Sequence, residues 1–186
     1  MLSKLLICLT GMPGSGKSTI VSALKEEGYF TLTLGDGVRA EAKKRNLEPS
    51  GQNLGKIMLE LREKNGDGAI ALLLVDQITN TDDSVVIIDG VRSNAEIEVL
   101  KKIVIVKLLA ITASTETRFN FLKARGRSDD PDTPEKFNER DNRELGVGIN
   151  ESIDISDEKI LNSEITINEL IESAQKIIQK WKNENT

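Results

Sequence analysis

Gly11-Met12-Pro13-Gly14-Ser15-Gly16-Lys17-Ser18-Thr19 matches G-x-x-x-x-G-K-[ST] at every fixed position. Ahead of it lies Leu5-Leu6-Ile7-Cys8-Leu9-Thr10, an apolar run of buried-strand length. Behind it, Ile20, Val21, Ala23 and Leu24 recur at helical spacing until Gly28, which is placed to end the helix at C′. A strand, a glycine loop and a helix in that order are the setting in which the pattern acts as a phosphate-binding P-loop. Gly11, Gly14 and Gly16 let the backbone come close to a phosphate. The loop N–H groups and the helix N-terminus then face the anion. Lys17 is expected to reach the β- and γ-phosphates and Ser18 to ligate Mg²⁺, with Ser15 and Thr19 completing the nucleotide site. The plain alternative is a glycine-rich turn that binds nothing, and the flanking strand and helix weigh against it. ATP and Mg²⁺ are the expected ligands.

The chain has 186 residues, enough for one domain with a sizeable core, or one core carrying a small mobile insert. Its 38% hydrophobic and 30% charged residues are the make-up of an ordinary globular protein, not of a disordered chain. A net charge of −5 argues against a dedicated nucleic-acid binder, and one Trp and one Tyr leave few aromatics for base stacking. His is absent, so neither an imidazole base nor a His-ligated metal is available. The single Cys8 sits inside the first apolar run and reads as a small buried residue. Met1-Leu2-Ser3-Lys4 imitates the start of a secretion signal, but the apolar run is short, enters the P-loop directly and has no small-residue cleavage site. No segment approaches the roughly 18 apolar residues that span a bilayer. A cytoplasmic protein with no membrane partner is expected.

Further along, Tyr29 to Leu34 reads as a second strand ended by Gly35-Asp36-Gly37, with a helix following through Val38, Arg39, Ala40 and Ala42. Leu54, Ile57, Met58 and Leu61 share one face of another helix, and Ala69 to Ile78 is a nearly continuous apolar helix. Two or three helices here exceed a minimal crossover, so residues 36–80 are expected to form a helical wall of an acceptor site. Ser84 to Asp89 is a strand with an acidic end, Gly90-Val91-Arg92 a turn, and Ser93-Asn94-Ala95-Glu96 a capping box. Ile103 to Thr112 is another strand, after which Ser114 opens a helix through Arg118, Phe119, Phe121 and Leu122. The chain then turns polar from Arg125 to Pro134, and a helix whose weak apolar face is mostly Phe137 and Leu145 follows. Residues 125–148 are expected to form a loosely packed lid. Lys159 to Ile165 is a last strand, and Thr166-Ile167-Asn168-Glu169 caps a final amphipathic helix. Strands alternating with helices define an α/β fold with a doubly wound, mostly parallel sheet, read as one domain over 1–186. Ligands belong at the carboxyl ends of its strands, where the P-loop, Asp36, Asp89 and Arg92 all fall.

Asp89 is either a Walker-B-like acid that helps hold Mg²⁺ or a turn aspartate, and a P-loop's need for a nearby carboxylate favours the metal. Arg39 and Arg92 follow the second and third strands, where guanidinium forks clamp an acceptor phosphate or simply face water. Arg125, Arg127, Arg140 and Arg143 suit a flap that neutralises charge on a transferring phosphoryl group. The alternative for them is a solvated helix with Glu135, Glu139, Asp141 and Glu144 as ion-pair partners.

Together these residues resemble the adenylate-kinase-type nucleoside-monophosphate kinase superfamily. Gly35-Asp36-Gly37-Val38-Arg39 matches its Gly-Asp-x-x-Arg site. Asp89-Gly90-Val91-Arg92 is a shortened form of its Asp-Gly-Phe-Pro-Arg element, and the segment from Arg125 to Arg143 occupies the place of its lid. Val91-Arg92-Ser93 and Glu139-Arg140-Asp141-Asn142-Arg143-Glu144-Leu145-Gly146 resemble, more narrowly, an archaeal family of adenylate-kinase-related P-loop proteins, also similar to dephospho-coenzyme A kinases. The resemblance implies a three-layer α/β/α P-loop NTPase with five parallel strands in the order 2-3-1-4-5, a helical acceptor-binding insert and a mobile lid. It implies that Lys17, Arg92, Arg125, Arg140 and Arg143 serve catalysis, and that Asp36, Arg39 and Arg92 hold the acceptor. The Pro of the Asp-Gly-Phe-Pro-Arg element is absent, as are lid cysteines for a zinc site. Three functions stay open. The favoured one is ATP-dependent transfer to a small nucleotide acceptor, a nucleoside monophosphate. The others are transfer to a hydroxyl acceptor such as dephospho-coenzyme A, with Asp36 the one well-placed base, and an ATPase or switch without an acceptor.

Overall fold

The apolar run before the P-loop forms β1 (Leu5–Thr10), and all of its residues are buried. The structure, a computed structural model, describes residues 4–127 and 130–185. The opening Met1-Leu2-Ser3 and the pair Ser128-Asp129 of the polar segment lie outside the described residues. Four further strands join β1, namely β2 (Phe30–Thr33), β3 (Val85–Val91), β4 (Ile105–Thr112) and β5 (Glu158–Leu161). All pairings are parallel and the order is β2-β3-β1-β4-β5, as the resemblance implies.

Because successive side chains of a strand point to opposite faces, β1 supplies both halves of the core. Leu5, Ile7 and Leu9 pack with Ile20 and Leu24 of α1 (Lys17–Glu26) and with Leu170, Ala174, Ile178 and Trp181 of α10 (Ile167–Glu184). Leu6 and Cys8 face the other way, towards α2 (Leu34–Lys44), α3 (Gly51–Asn65), α4 (Ala69–Leu72), α5 (Val75–Asn80) and α6 (Asn94–Lys101). Helices on both faces of a parallel sheet make the three-layer α/β/α arrangement. Three helices stand around the carboxyl ends of the strands or lead back from them: α7 (Thr115–Arg125), α8 (Pro134–Val147) and α9 (Ile149–Asp154). No described helix is long and apolar enough to cross a membrane.

Local signals set most helix starts. The side chains of Ser50, Ser93, Ser114 and Thr133 each accept from the backbone N–H three residues on, and Thr166 with Glu169 completes a reciprocal capping box. At Ser93 the box is only half made. The Glu96 carboxylate accepts instead from the Arg92 N–H at 2.7 Å and from Arg62 Nη2 at 2.9 Å.

Several expected boundaries move. Helix α2 begins at Leu34, so Gly35-Asp36-Gly37 form its first turn and do not close β2, with Asp36 at the helix's positive end. The region Ala69 to Ile78 is two short helices, stepped at Leu73 and Leu74, where both side chains pack against Gly37. Gly90 and Val91 belong to β3. The register jumps from Leu9↔Asp89 to Thr10↔Val91, leaving Gly90 as the extra residue of a bulge at φ 88°, a conformation that glycine adopts without strain. Leu145 is exposed at 42%, and the inner face of α8 is made by Phe137 and Glu144. Helix α9 carries no signal strong enough to expect.

Candidate active site

The carboxyl ends of the strands open into a cavity of about 460 Å³. Its floor is the loop from β1 to α1, with Gly11, Gly14, Ser15, Gly16, Lys17, Ser18 and Thr19 all lining it. Lys17 folds back over this loop, donating to the Gly11 carbonyl at 2.5 Å, to Met12 at 3.1 Å and to Ser15 Oγ at 3.4 Å. Burial pulls its pKa from 10.5 down to about 8; the Asp89 carboxylate opposes the shift and the Arg92 guanidinium adds to it.

Two side chains from distant segments hold the loop from behind. Asn162, at the end of β5, donates from Nδ2 to the Ser15 carbonyl at 2.9 Å. It also fills the space a Cβ on Gly16 would need, and Gly16 itself sits at φ 107°. Arg118 of α7, 5% exposed, donates to the Pro13 carbonyl at 3.2 Å. Its guanidinium grips Asp141 of α8 bidentately at 2.9 and 2.5 Å and lies over the Phe137 ring. Neither residue stood out in the sequence. Asn162 lies 147 positions from its partner, and Arg118 reads as one more polar residue of an amphipathic helix.

Asp89 ends the regular part of β3 beside β1, 9% exposed, and its Oδ1 has no hydrogen-bond partner among the described residues. Burial raises its pKa, while Lys17 and then Arg92 oppose the rise. That orphaned oxygen is a free donor lining the same cavity as Ser18, so Asp89 fits Mg²⁺. Ser18 and Asp89 line a common adjoining cavity of about 410 Å³ together with Thr33, Asp36, Arg39 and Arg127. No group of three His, Cys, Asp or Glu among the described residues forms a self-sufficient metal cage. One carboxylate, one hydroxyl and phosphate oxygens is the donor set such a site leaves.

The structure brings the arginines of three separate segments together. Arg39, Arg92, Arg125, Arg127 and Arg140 all line the main cavity. Arg39 pairs with Asp36 at 2.8 Å, and Asp36 itself is 70% exposed. Arg125 holds Asp130 through Nε at 2.8 Å and Nη2 at 2.5 Å, and Arg140 reaches the same carboxylate at 3.1 Å. Arg143 stands one helical turn further, against Gly55 of α3. With Arg39, Arg92, Arg140 and Glu144 it surrounds a small side cavity of about 60 Å³ whose apolar walls are Val38, Leu54 and Met58. Two of the acids expected as partners within α8 reach elsewhere: Asp141 to Arg118 and Glu144 to Arg92, at 3.1 Å. The main cavity also has apolar walls, made by Phe121, Ile165, Ile167 and Leu170.

A family profile described as "AAA domain" matches residues 10–138. Among solved structures, TT1252 from Thermus thermophilus aligns with TM-score 0.72 and 18% identity, covering 95% of this chain and 97% of that one. Shikimate kinase from Acinetobacter baumannii, in complex with shikimate, aligns at TM-score 0.59 and 15% identity over 97% and 96% of the two chains. At these identities the likeness is one of fold, that of the P-loop kinases. A UPF0200 protein of Hyperthermus butylicus is 37% identical over 177 residues, 95% of each chain. That of Methanocaldococcus jannaschii is 40% identical over 189 residues, 97% of this chain and 96% of its own. The chain belongs to the UPF0200 family of archaeal P-loop proteins.

Proposed function

We propose that this member of the UPF0200 family is an ATP-dependent kinase that transfers the γ-phosphoryl group to a nucleotide, a nucleoside monophosphate. The observation that carries the reading is the single cavity shared by the phosphate loop and by Arg39, Arg92, Arg125 and Arg140. The apolar side chains of Phe121, Ile165, Ile167 and Leu170 in its lining suit the base of a nucleotide.

In this reading the P-loop amides cradle the ATP phosphates, and Lys17 leaves the Gly11 and Met12 carbonyls to meet the β- and γ-phosphates. Ser18 and Asp89 would hold Mg²⁺, which, when bound, neutralises charge on the phosphate oxygens. Arg39 and Arg92 grip the acceptor phosphate, residues 36–80 form the acceptor's helical wall, and residues 125–148 form the lid. Arg125, Arg140 and Arg143 balance the charge spread over the phosphoryl oxygens in transfer. An acceptor phosphate brings its own nucleophilic oxyanion, so positioning and charge neutralisation supply the catalysis.

A hydroxyl acceptor would need a base. Asp36, the residue placed for that task, is exposed and paired to Arg39, which favours its carboxylate as a partner that orients Arg39. ADP release measured against a panel of monophosphates and alcohols tests the reading. On the best acceptor, Arg92→Ala is expected to raise the acceptor KM about tenfold or more, while Asp36→Asn keeps substantial activity. A loss of about 10²–10⁴ in rate from Asp36→Asn alone would instead mark a base and a hydroxyl acceptor.

A further inference from the structure

We infer that Glu144 is a positioning residue for the acceptor site, fixing the Arg92 guanidinium in the orientation that meets the acceptor phosphate; the inference rests on the function proposed above. Glu144 lies on α8, in a segment rich in solvated charges, yet its side chain is only 4% exposed. A carboxylate that stays charged out of water needs a compensating cation or hydrogen-bond donors. Here the cation is Arg92, whose Nε stands 3.1 Å from Glu144 Oε2.

The other contacts of Arg92 show what this pair accomplishes. Its main-chain N–H donates to Glu96 Oε2 at 2.7 Å, which anchors the backbone to α6. Its Nη1 lies 3.4 Å from Met58 Sδ of α3, and a thioether is a weak acceptor. Among the described residues Glu144 is thus the one charged group paired with the guanidinium, an ion pair standing beside its Nε. It occupies the Nε edge and leaves both Nη groups able to donate to an anion in the cavity that Arg92 shares with Arg39, Arg140 and Arg143.

Two effects oppose each other at this position. The Glu144 charge offsets part of the attraction of Arg92 for a phosphate, and its geometry fixes the fork. Arg39, Arg140 and Arg143 maintain the positive field around the side cavity, and among the described residues Glu144 alone pairs with Arg92's Nε. Orientation is thus the contribution that other residues do not duplicate, and losing it is expected to weaken acceptor binding even though a negative charge is removed.

The test uses the full chain with ATP–Mg²⁺ and AMP, GMP, CMP and UMP as acceptors. Glu144→Ala and Glu144→Gln are placed in the parent chain and in Arg92→Ala. Glu144→Ala is expected to raise the KM of the accepted monophosphate about tenfold with the ATP KM within about twofold, and to add nothing in the Arg92→Ala background. Glu144→Gln keeps an oxygen for Nε without the charge and is expected to fall between. It carries the same comparison should the Ala variant not fold. An unchanged acceptor KM, an equal rise in the ATP KM, or full additivity with Arg92→Ala would overturn the inference while leaving the kinase reading standing. A parent chain that turns over none of the four monophosphates would remove the proposed function, and this inference with it.

Discussion

Asn162 offers the sharpest test of how the phosphate loop is held. It is 5% exposed, its main-chain N–H donates to the Thr112 carbonyl at 2.7 Å, and its side chain donates to the Ser15 carbonyl at 2.9 Å. Asn162→Ala strips the Ser15 carbonyl of that partner in a buried place, which costs about 1–3 kcal/mol. For a chain of this length each kcal/mol moves Tm by about 2–4 °C, so a fall of roughly 2–12 °C is expected. Asn162→Asp keeps the shape but sets oxygen against oxygen and adds a negative charge directly behind the loop that would receive the ATP phosphates. It should therefore lower ATP affinity more than Asn162→Ala does, and more so at low salt, where charge repulsion is less screened. Scanning calorimetry of the empty protein and titration calorimetry with ATP–Mg²⁺ read the two effects separately. Parent-like Tm and ATP affinity in both variants, or an Asp variant that binds ATP better than the Ala variant, would refute the reasoning.

Lys17 carries a pH dependence. Its pKa is lowered to about 8 in the empty protein, so the unfolded chain holds more protons between about 8 and 10.5. Its destabilising contribution is complete below that window and fades as pH rises through it. ATP phosphates favour the ammonium, so binding above pH 8 should take up a proton and weaken by up to about tenfold per pH unit. Titration in buffers of differing ionisation heat measures this uptake, which Lys17→Ala should abolish along with at least about 1.4 kcal/mol of ATP binding. Arg118→Ala leaves Asp141 half-enclosed without its cation, and the expected loss of about 3–5 kcal/mol should appear as a fall in Tm of roughly 6–20 °C. For residues 125–148, backbone hydrogen exchange should slow when a bisubstrate analogue is added to the ligand-free protein. Equal protection in both states would leave the segment as ordinary surface.

Much of the fold is legible because its signals are local. Strand, glycine loop and helix around Gly11 to Thr19 are contiguous, and the capping residues Ser93, Ser114, Thr133 and Thr166 act within three positions of themselves. Where the structure departs from these local signals, a neighbour distant in sequence intervenes. The step at Leu73-Leu74 answers to packing against Gly37, and the bulge at Gly90 answers to the register of β3 on β1. On the weak apolar face expected of α8 Phe137 is buried, but Leu145 is exposed and Glu144 is buried instead. Glu144 and Asp141 are enclosed there because arginines from β3's end and from α7 neutralise them, and Phe137 meets Phe119 edge-on at 5.4 Å.

The same division holds for the candidate site. The sequence alone determined that a phosphate-binding loop follows the first strand, that an acid stands at the end of the third, and that arginines gather in three separate segments. Each of these is a matter of residue type at fixed spacing. Tertiary structure decided which cavity those arginines share, that Asn162 and Arg118 hold the loop from behind, and that Glu144 and Asp141 pair outside their own helix. Charge pairing and burial depend on distance in space, and the partners here lie from 23 to 147 positions apart along the chain.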